Sequence, residues 1–180
     1  LIGANNLSAF VGVGGAWSAG TSAYTGTGLT LSGLKLGLAI LKETGGSARQ
    51  WTGAKASATS ASFIGVSGLT VVASDVSVAI NRVASDNSVV DFGAQNLTVQ
   101  TGTAGAPSTM VLDMAGSLGA LTQVSAAVEI DAFGLLMARG TVTLQKSSGT
   151  VTVAGASKAV DELLIGANNL SAFVGVGGAW

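Results

Sequence analysis

The chain contains no cysteine and no histidine among its 180 residues. Without cysteine it forms no disulfide and offers no thiol nucleophile or thiolate metal ligand. Without histidine it lacks the commonest general base and the usual nitrogen ligand of zinc. Because so many active sites depend on one of these two residue types, we expect no catalytic residues and no enzymatic activity.

Charge is also scarce. Charged residues make up 9% of the chain and the net charge is -1, against about 25% charged residues in ordinary soluble proteins. Such a chain has no basic patch for nucleic acid, so we expect no nucleic-acid partner. Residues 1–34 are uncharged, but Asn5, Asn6 and Ser8 interrupt them. A spanning helix needs about 20 mainly apolar residues in succession, so we predict no membrane insertion.

The most informative feature present is a repeat at the two ends. Residues 1–17 read LIGANNLSAFVGVGGAW, and residues 164–180 read the same, letter for letter. Such identity is typical of tandem arrays, in which each unit contacts its neighbours. We therefore interpret residues 1–163 as one repeat unit and residues 164–180 as the start of the next identical unit. An engineered duplication, or a window drawn on a longer filament, is the alternative.

Hydrophobic residues alternate with small or polar ones over long stretches. Because side chains of a strand point alternately to opposite faces, this period of two predicts strands with one buried face. We expect Lys35, Ser77, Ser125 and Glu129 to be the exposed partners. The residues expected on the buried face are Leu34, Leu36, Leu38, Ile40, Val76, Val78, Ile80, Val124, Val128 and Ile130.

The alternation changes phase at three places: at Ser32-Gly33, at Ser67-Gly68 and at Ser74-Asp75. One extra residue moves every later side chain to the other face. Two interpretations stay open: a bulge or corner that keeps the core on one side, or an ordinary tight turn between short strands.

Helix signals are confined to one stretch. Residues 156–165 (ASKAVDELLI) have fair helix propensity and are interpreted as one short turn between repeats. The predicted fold is therefore all-β: an elongated tandem-repeat sheet stack or a β-solenoid-like body with bulged amphipathic strands.

Four segments carry a resemblance to a known group of proteins. They are SAFVGVGGAW (8–17), GLTLSGLKLGLAILKE (28–43), ASFIGVSGLTVVASDVSVAIN (61–81) and VVDFGAQNLTV (89–99). Together they resemble the long repeats of giant bacterial secreted or surface proteins, of the RTX-type and adhesin-like kinds. The resemblance implies an extracellular, array-forming protein and no catalytic residue. The calcium-binding nonapeptide G-G-x-G-x-D-x-U-x is absent, so calcium binding through it does not follow.

Candidate binding residues are few. The oxygens of Asp86, Asn87 and Asp91 are weak candidate ligands for Ca²⁺, because their spacing matches no EF-hand loop. The alternative is turn chemistry, in which Asp and Asn hydrogen-bond their own backbone. No other cofactor is expected. The apolar residues of the repeated segment are the expected interface between units, and they are Leu1, Ile2, Leu7, Phe10, Val11, Val13 and Trp17.

These patterns predict a structural protein rather than an enzyme. Its expected partners are adjacent identical repeats, with which it self-assembles into a filament, stalk or matrix fibre, secreted or at the cell surface. One alternative is an adhesin whose repeats bind glycans or hydrophobic surfaces. Another is a conduit in which a curved sheet shields hydrophobic or lipid cargo.

Overall fold

The computed structural model describes residues 1–18, 23–46 and 48–177. Within these ranges the chain is all-β, as the alternation predicts. No helix in them is long and apolar enough to cross a membrane. The strands are β1 (Ile2–Val13), β2 (Trp17–Ser18), β3 (Ala23–Tyr24), β4 (Thr27–Lys42), β5 (Gln50–Ile64), β6 (Leu69–Arg82), β7 (Leu97–Gln100), β8 (Thr109–Leu112), β9 (Leu121–Ala132), β10 (Leu136–Val153) and β11 (Ala156–Val174).

Seven strands form one antiparallel sheet in the order β1-β4-β5-β6-β9-β10-β11. Strands β2 and β3 form one small two-stranded sheet, and β7 and β8 form another. The large sheet is open, because β1 and β11 each have a strand on one side only. In the part of the chain that the structure describes there is no solenoid coil, so of the predicted fold only the all-β sheet is confirmed.

The phase changes have two different structural causes. Ser67 and Gly68 lie in the turn between β5 and β6, where Gly68 has φ 78°. The other two changes occur inside strands: Gly33 of β4 has φ 60° and Asp75 of β6 has φ 52°. The pairing of β6 with β9 shifts register between Ser74 and Ser77, beside Asp75. These two breaks are therefore irregularities that keep the apolar side chains on one face.

The core lies on the other side of the sheet, beneath the residues that connect β6 to β9. We call residues 83–120 the insert; it contains β7, β8 and a 3₁₀ turn at Gly116–Leu118. The core consists of side chains of the insert and of the sheet that are buried between the two, and they are Ala39, Phe92, Val99, Leu112, Met114 and Leu121.

Glycines on the sheet make room for the insert. A Cβ at Gly53 would lie 2.5 Å from the ring of Phe92, and one at Gly37 would lie 2.8 Å from Cβ of Met110. Two larger residues there would hold the insert away from the sheet.

The predicted core is therefore wrong in its location. Ile40 is 51% exposed and Val124 is 38% exposed, whereas Ala39, the neighbour of Ile40, is completely buried. Leu36 and its expected exposed partner Lys35 are both half-buried, whereas Glu129 is exposed beside a half-buried Val128, as expected. The alternation correctly separated two faces, but the insert covers the face of small and polar residues.

Residues 156–165 are not a helical turn. They lie in β11, which pairs with β10 from Ala156 onward. A two-residue connection, Ala154 and Gly155 with φ of 50° and 80°, joins these strands. Positive φ at both positions is typical of the tight turns that match the twist of a hairpin. The ladder with β10 therefore overrides the helix propensity of this stretch.

Candidate interaction surfaces

One face of the sheet is apolar across all seven strands. Directly opposed residues on neighbouring strands point to the same face, so the register identifies which residues share it. One row crosses the sheet below the bulges and consists of Leu36, Ala56, Val78, Val124, Leu144 and Ile165. A second row crosses above them and consists of Val11, Leu29, Phe63, Val71, Ile130, Ala138 and Ala172.

Both rows belong to the same side of the sheet. A depression of about 300 Å³ brings Ile130 of the upper row together with Val142, which lies in phase with Leu144 of the lower row. Leu170 of β11 lines the same depression. We call this side of the sheet the apolar face, and the opposite side the polar face.

Nothing in the described chain covers the apolar face. Leu144 is 40% exposed, and Ile165 and Leu170 on the edge strand are 69% and 68% exposed. Soluble monomers rarely expose contiguous apolar patches of more than a few hundred Å². A face of this extent is therefore a candidate interaction surface.

The polar face has hydroxyl and amide groups in place of the aliphatic rows. Ser32 and Ser60 share a hydrogen bond of 2.7 Å between their Oγ atoms, and so do Ser77 and Ser125. The insert is fixed to this face by polar contacts as well as by the core. Nζ of Lys55 lies 2.9 Å from Oδ1 of Asp113 in an ion pair.

The second candidate surface is the pair of open edges, which carry the repeated segment. Its first copy lies in β1, where it pairs with β4, and its second copy lies in β11, where it pairs with β10. Every neighbouring pair in the sheet is antiparallel and six such steps separate the two edges, so β1 and β11 run in the same direction. The same segment is therefore hydrogen-bonded along one edge in its first copy and along the opposite edge in its second copy.

The two copies also share a local conformation. Asn6 has φ 54° and its counterpart Asn169 has φ 52°, and each lies at a register shift in its ladder. Gly14 and Gly177 both have positive φ as well, at 65° and 74°. The last three residues of the second copy, 178–180, lie outside the described residues.

Of the interface residues predicted from the sequence, the aliphatic ones lie along the β1 edge. Ile2 is 55% exposed and Val11 is 69% exposed, both on the apolar face. Leu1, at 68%, precedes the strand; Leu7, at 44%, and Val13, at 74%, lie in it.

The aromatic members of that set cluster together at the end of β1. The ring of Phe10 stacks on Tyr24 with centroids 5.5 Å apart, and Trp17 contacts the same ring at 4.7 Å. These contacts join β1 to the small β2–β3 sheet. The glycan-binding alternative stays a prediction.

The candidate calcium ligands have protein partners in the structure. Asp86 accepts hydrogen bonds from the backbone and the hydroxyl of Ser88, and it pairs with Arg49 at 2.8 Å. The hydroxyl of Ser88, followed by Arg49, holds the pKa of Asp86 far below its ordinary value. Asn87 has φ 63° in the same turn. Among the described residues no group of three or more acidic side chains is placed to hold a metal, and calcium binding stays a prediction.

Asp91 holds the insert together. Its Oδ1 accepts hydrogen bonds from the backbone N–H groups of Gly93, Ala94 and Gly116, at 3.1, 3.1 and 2.9 Å. The bond from Gly116, followed by that from Ala94, lowers the pKa of Asp91. The carboxylate thus joins the two ends of a 25-residue segment by accepting backbone donors.

No family model, curated protein or solved structure matches this chain. Any functional conclusion therefore depends on the two surfaces themselves. The sequence identified the repeated edge segment directly. The alternation in the sequence also indicated the apolar face. That this face is exposed could be known only from the position of the insert, which covers the opposite face.

Proposed function

We propose that this chain is the repeating unit of an elongated structural protein whose sheet continues from one unit to the next. The observation that carries the proposal is the position of the repeated segment. Identical strands lie at opposite edges of one sheet, run in the same direction, and are bonded on opposite sides. A shift of one unit across the sheet therefore brings β1 onto the second half of β11.

In such an array the second copy is the first strand of the following unit. Its inner side pairs with β10, as it does here, and its outer side pairs with the next β4. Each junction then has no open edge, which removes the unpaired backbone groups that make edge strands aggregate. Stability grows with the number of junctions, as in other repeat proteins.

A filament, stalk or matrix fibre is the function that such a continuous sheet supports best. The scarcity of charge and the absence of cysteine and histidine agree with a mechanical role rather than a catalytic one. Secretion or display on a bacterial surface is part of the same proposal, because it depends on the resemblance of the repeats.

The proposal is tested by removing the second copy and supplying it as a peptide. A chain ending at Leu163 leaves most of β10 without a partner on one side. A synthetic peptide of residues 164–176 should bind this chain and raise its melting temperature, and a scrambled peptide should not. The 180-residue chain should not bind the peptide at β10, since its own β11 occupies that site.

Chains of one, two and four units complete the test. Melting temperature should rise with the number of units, and electron micrographs should show bodies whose length grows in equal steps. Units that melt at one temperature regardless of copy number, together with a peptide that does not bind, would mean that each unit is a separate domain.

The conduit for hydrophobic cargo is a second candidate, favoured by the apolar depression between β9, β10 and β11. If lipid occupies this surface, protein purified without detergent should carry it, and native mass spectrometry should detect the added mass. Replacement of Val142 by aspartate, within the depression, should then reduce the bound lipid.

A further inference from the structure

The apolar face is not flat, because large and small side chains lie on neighbouring strands. Strand β4 places large side chains along it, from Leu29 and Leu31 to Leu34, Leu36 and Leu38, and so forms a ridge. Strand β5, directly beside it, places Ala54, Ala56 and Ala61 on the same face and forms a groove that ends at the ring of Phe63. Because β4 and β5 are neighbours, ridge and groove lie side by side from the pair Leu31–Ala61 to the pair Leu38–Ala54.

We propose that this face is covered by the same face of a second copy of the chain. A two-fold axis that runs along the strands between β4 and β5 places the ridge of each copy over the groove of the other. Symmetric contacts of this kind are self-complementary and close at two copies. The two sheets then interdigitate as the layers of a β-sandwich do, at a separation of about 10 Å.

The size of the contact agrees with a stable pair. About this axis four strands overlap in each copy, β1, β4, β5 and β6, over a width of roughly 19 Å and a length of about 40 Å. The pair would bury about 1,500 Å² in total, within the range of specific protein interfaces. Ile2 and Val11, the exposed aliphatic residues of β1, lie inside the overlap.

The charged side chains of these strands lie outside the centre of the proposed contact. The two rows that cross the overlap at Leu29 and at Leu36 contain only aliphatic and aromatic side chains. Lys42 and Arg82, which continue the phase of the apolar residues, lie at the ends of their strands, on the rim of the overlap. No charge is therefore buried when the two faces meet, and burial of unpaired charge is the main penalty that such a contact could incur.

This pairing does not rest on the proposed continuation of the sheet. Edge addition joins units side by side and is open-ended, whereas face pairing stops at two copies. A failure of the peptide experiment would leave the face contact intact, and a failure of the face contact would leave edge addition intact.

The test exchanges a large side chain of the ridge with a small side chain of the groove by substitution. Leu36 and Ala56 are directly opposed in the sheet, so the axis places Leu36 of one copy over Ala56 of the other. Leu36→Ala and Ala56→Leu should each weaken the pair by about tenfold in dissociation constant, measured by light scattering with size-exclusion chromatography. The double variant should restore affinity to within about threefold of the original, because the relief is restored with the two strands interchanged.

A matched pair of charged variants locates the contact. Leu36→Glu lies inside the four-strand overlap, and Leu144→Glu lies on the same face and in the same row but outside it. The first should yield monomers, and the second should leave the pair intact; circular dichroism would verify that both remain folded.

Three outcomes would overturn the proposal. The original chain could be monomeric and free of ligand, it could be monomeric with lipid bound to the face, or Leu144→Glu could disrupt the pair as strongly as Leu36→Glu. The second outcome would favour the conduit, and the third would mean that the faces associate without the proposed axis.

Discussion

The two copies of the repeated segment have the same sequence and different surroundings. In both, the strand contains an asparagine whose backbone is in the left-handed region, Asn6 in one copy and Asn169 in the other. Yet β1 continues to Val13, whereas β11 ends at Val174, the counterpart of Val11. The local conformation therefore follows from the segment itself, and its length as a strand depends on the neighbour that pairs with it.

The two copies differ more in their contact with the insert than in their length as strands. A side chain at Gly3 would meet the backbone of Gln100 in the insert, whereas one at Gly166 would meet no atom within 4 Å. The insert lies over the first copy and leaves the second bare. In the proposed array, the insert of the following unit would cover Gly166 in the same way.

The largest effect is expected where this difference is greatest. Gly3→Val should destabilise the 180-residue chain by about 1–3 kcal/mol, because the insert must move to accept the side chain. Gly166→Val should change stability by less than about 0.5 kcal/mol. Denaturant unfolding would measure both values.

The same pair of variants in a two-unit chain sharpens the comparison. There Gly166→Val should become as destabilising as Gly3→Val. If Gly166→Val stays neutral in the longer chain, the second unit does not place its insert over the shared strand, and the continuous sheet would be wrong.

A smaller and equal effect is expected at the two asparagines. Asn6→Val and Asn169→Val should each cost about 1 kcal/mol, because a β-branched side chain is strained at positive φ. Replacement by glycine should be close to neutral at both sites. Thermal melting of the four variants would check this, and a cost at only one site would mean that the shared bulge is imposed by its neighbours.

The smallest effect concerns pH. The pKa of Asp91 is lowered in the folded chain, so its ionised carboxylate stabilises the insert at pH values above the unfolded-state pKa of about 4. That contribution is lost as pH falls through the lower, folded-state pKa. On acidification, hydrogen exchange should therefore increase in the insert and in residues 1–13, but not in residues 164–174.

The variant Asp91→Asn is the control for this measurement. Its asparagine oxygen still accepts backbone hydrogen bonds but does not titrate, so exchange in its insert should depend less on pH. Equal acid sensitivity in the original and the variant would assign the effect to another carboxylate.

Several elements of the fold could be predicted from the sequence. Alternation in Leu34–Ile40 and in Val76–Ile80 identified β4 and β6, and the phase changes at Gly33 and Asp75 located two of the bulges. These signals are local: a period of two reflects the pleat of a strand, and one extra residue reverses it.

Other elements could not be predicted locally. Residues 156–165 favour a helix in isolation, yet they lie in the hairpin of β10 and β11. Each strand of this hairpin supplies the hydrogen bonds of the other, and that pairing outweighs the intrinsic preferences.

The sequence by itself determined the local elements of the sheet: strands, bulges, one face of aliphatic side chains, and an identical segment at each end. Only the tertiary structure decided which face is covered and which side of each end strand is bonded. The physical reason is that alternation separates two faces without saying what lies on either. Phe92, Val99 and Leu112 belong to the insert, and only its position in the folded chain shows that they pack on the polar face.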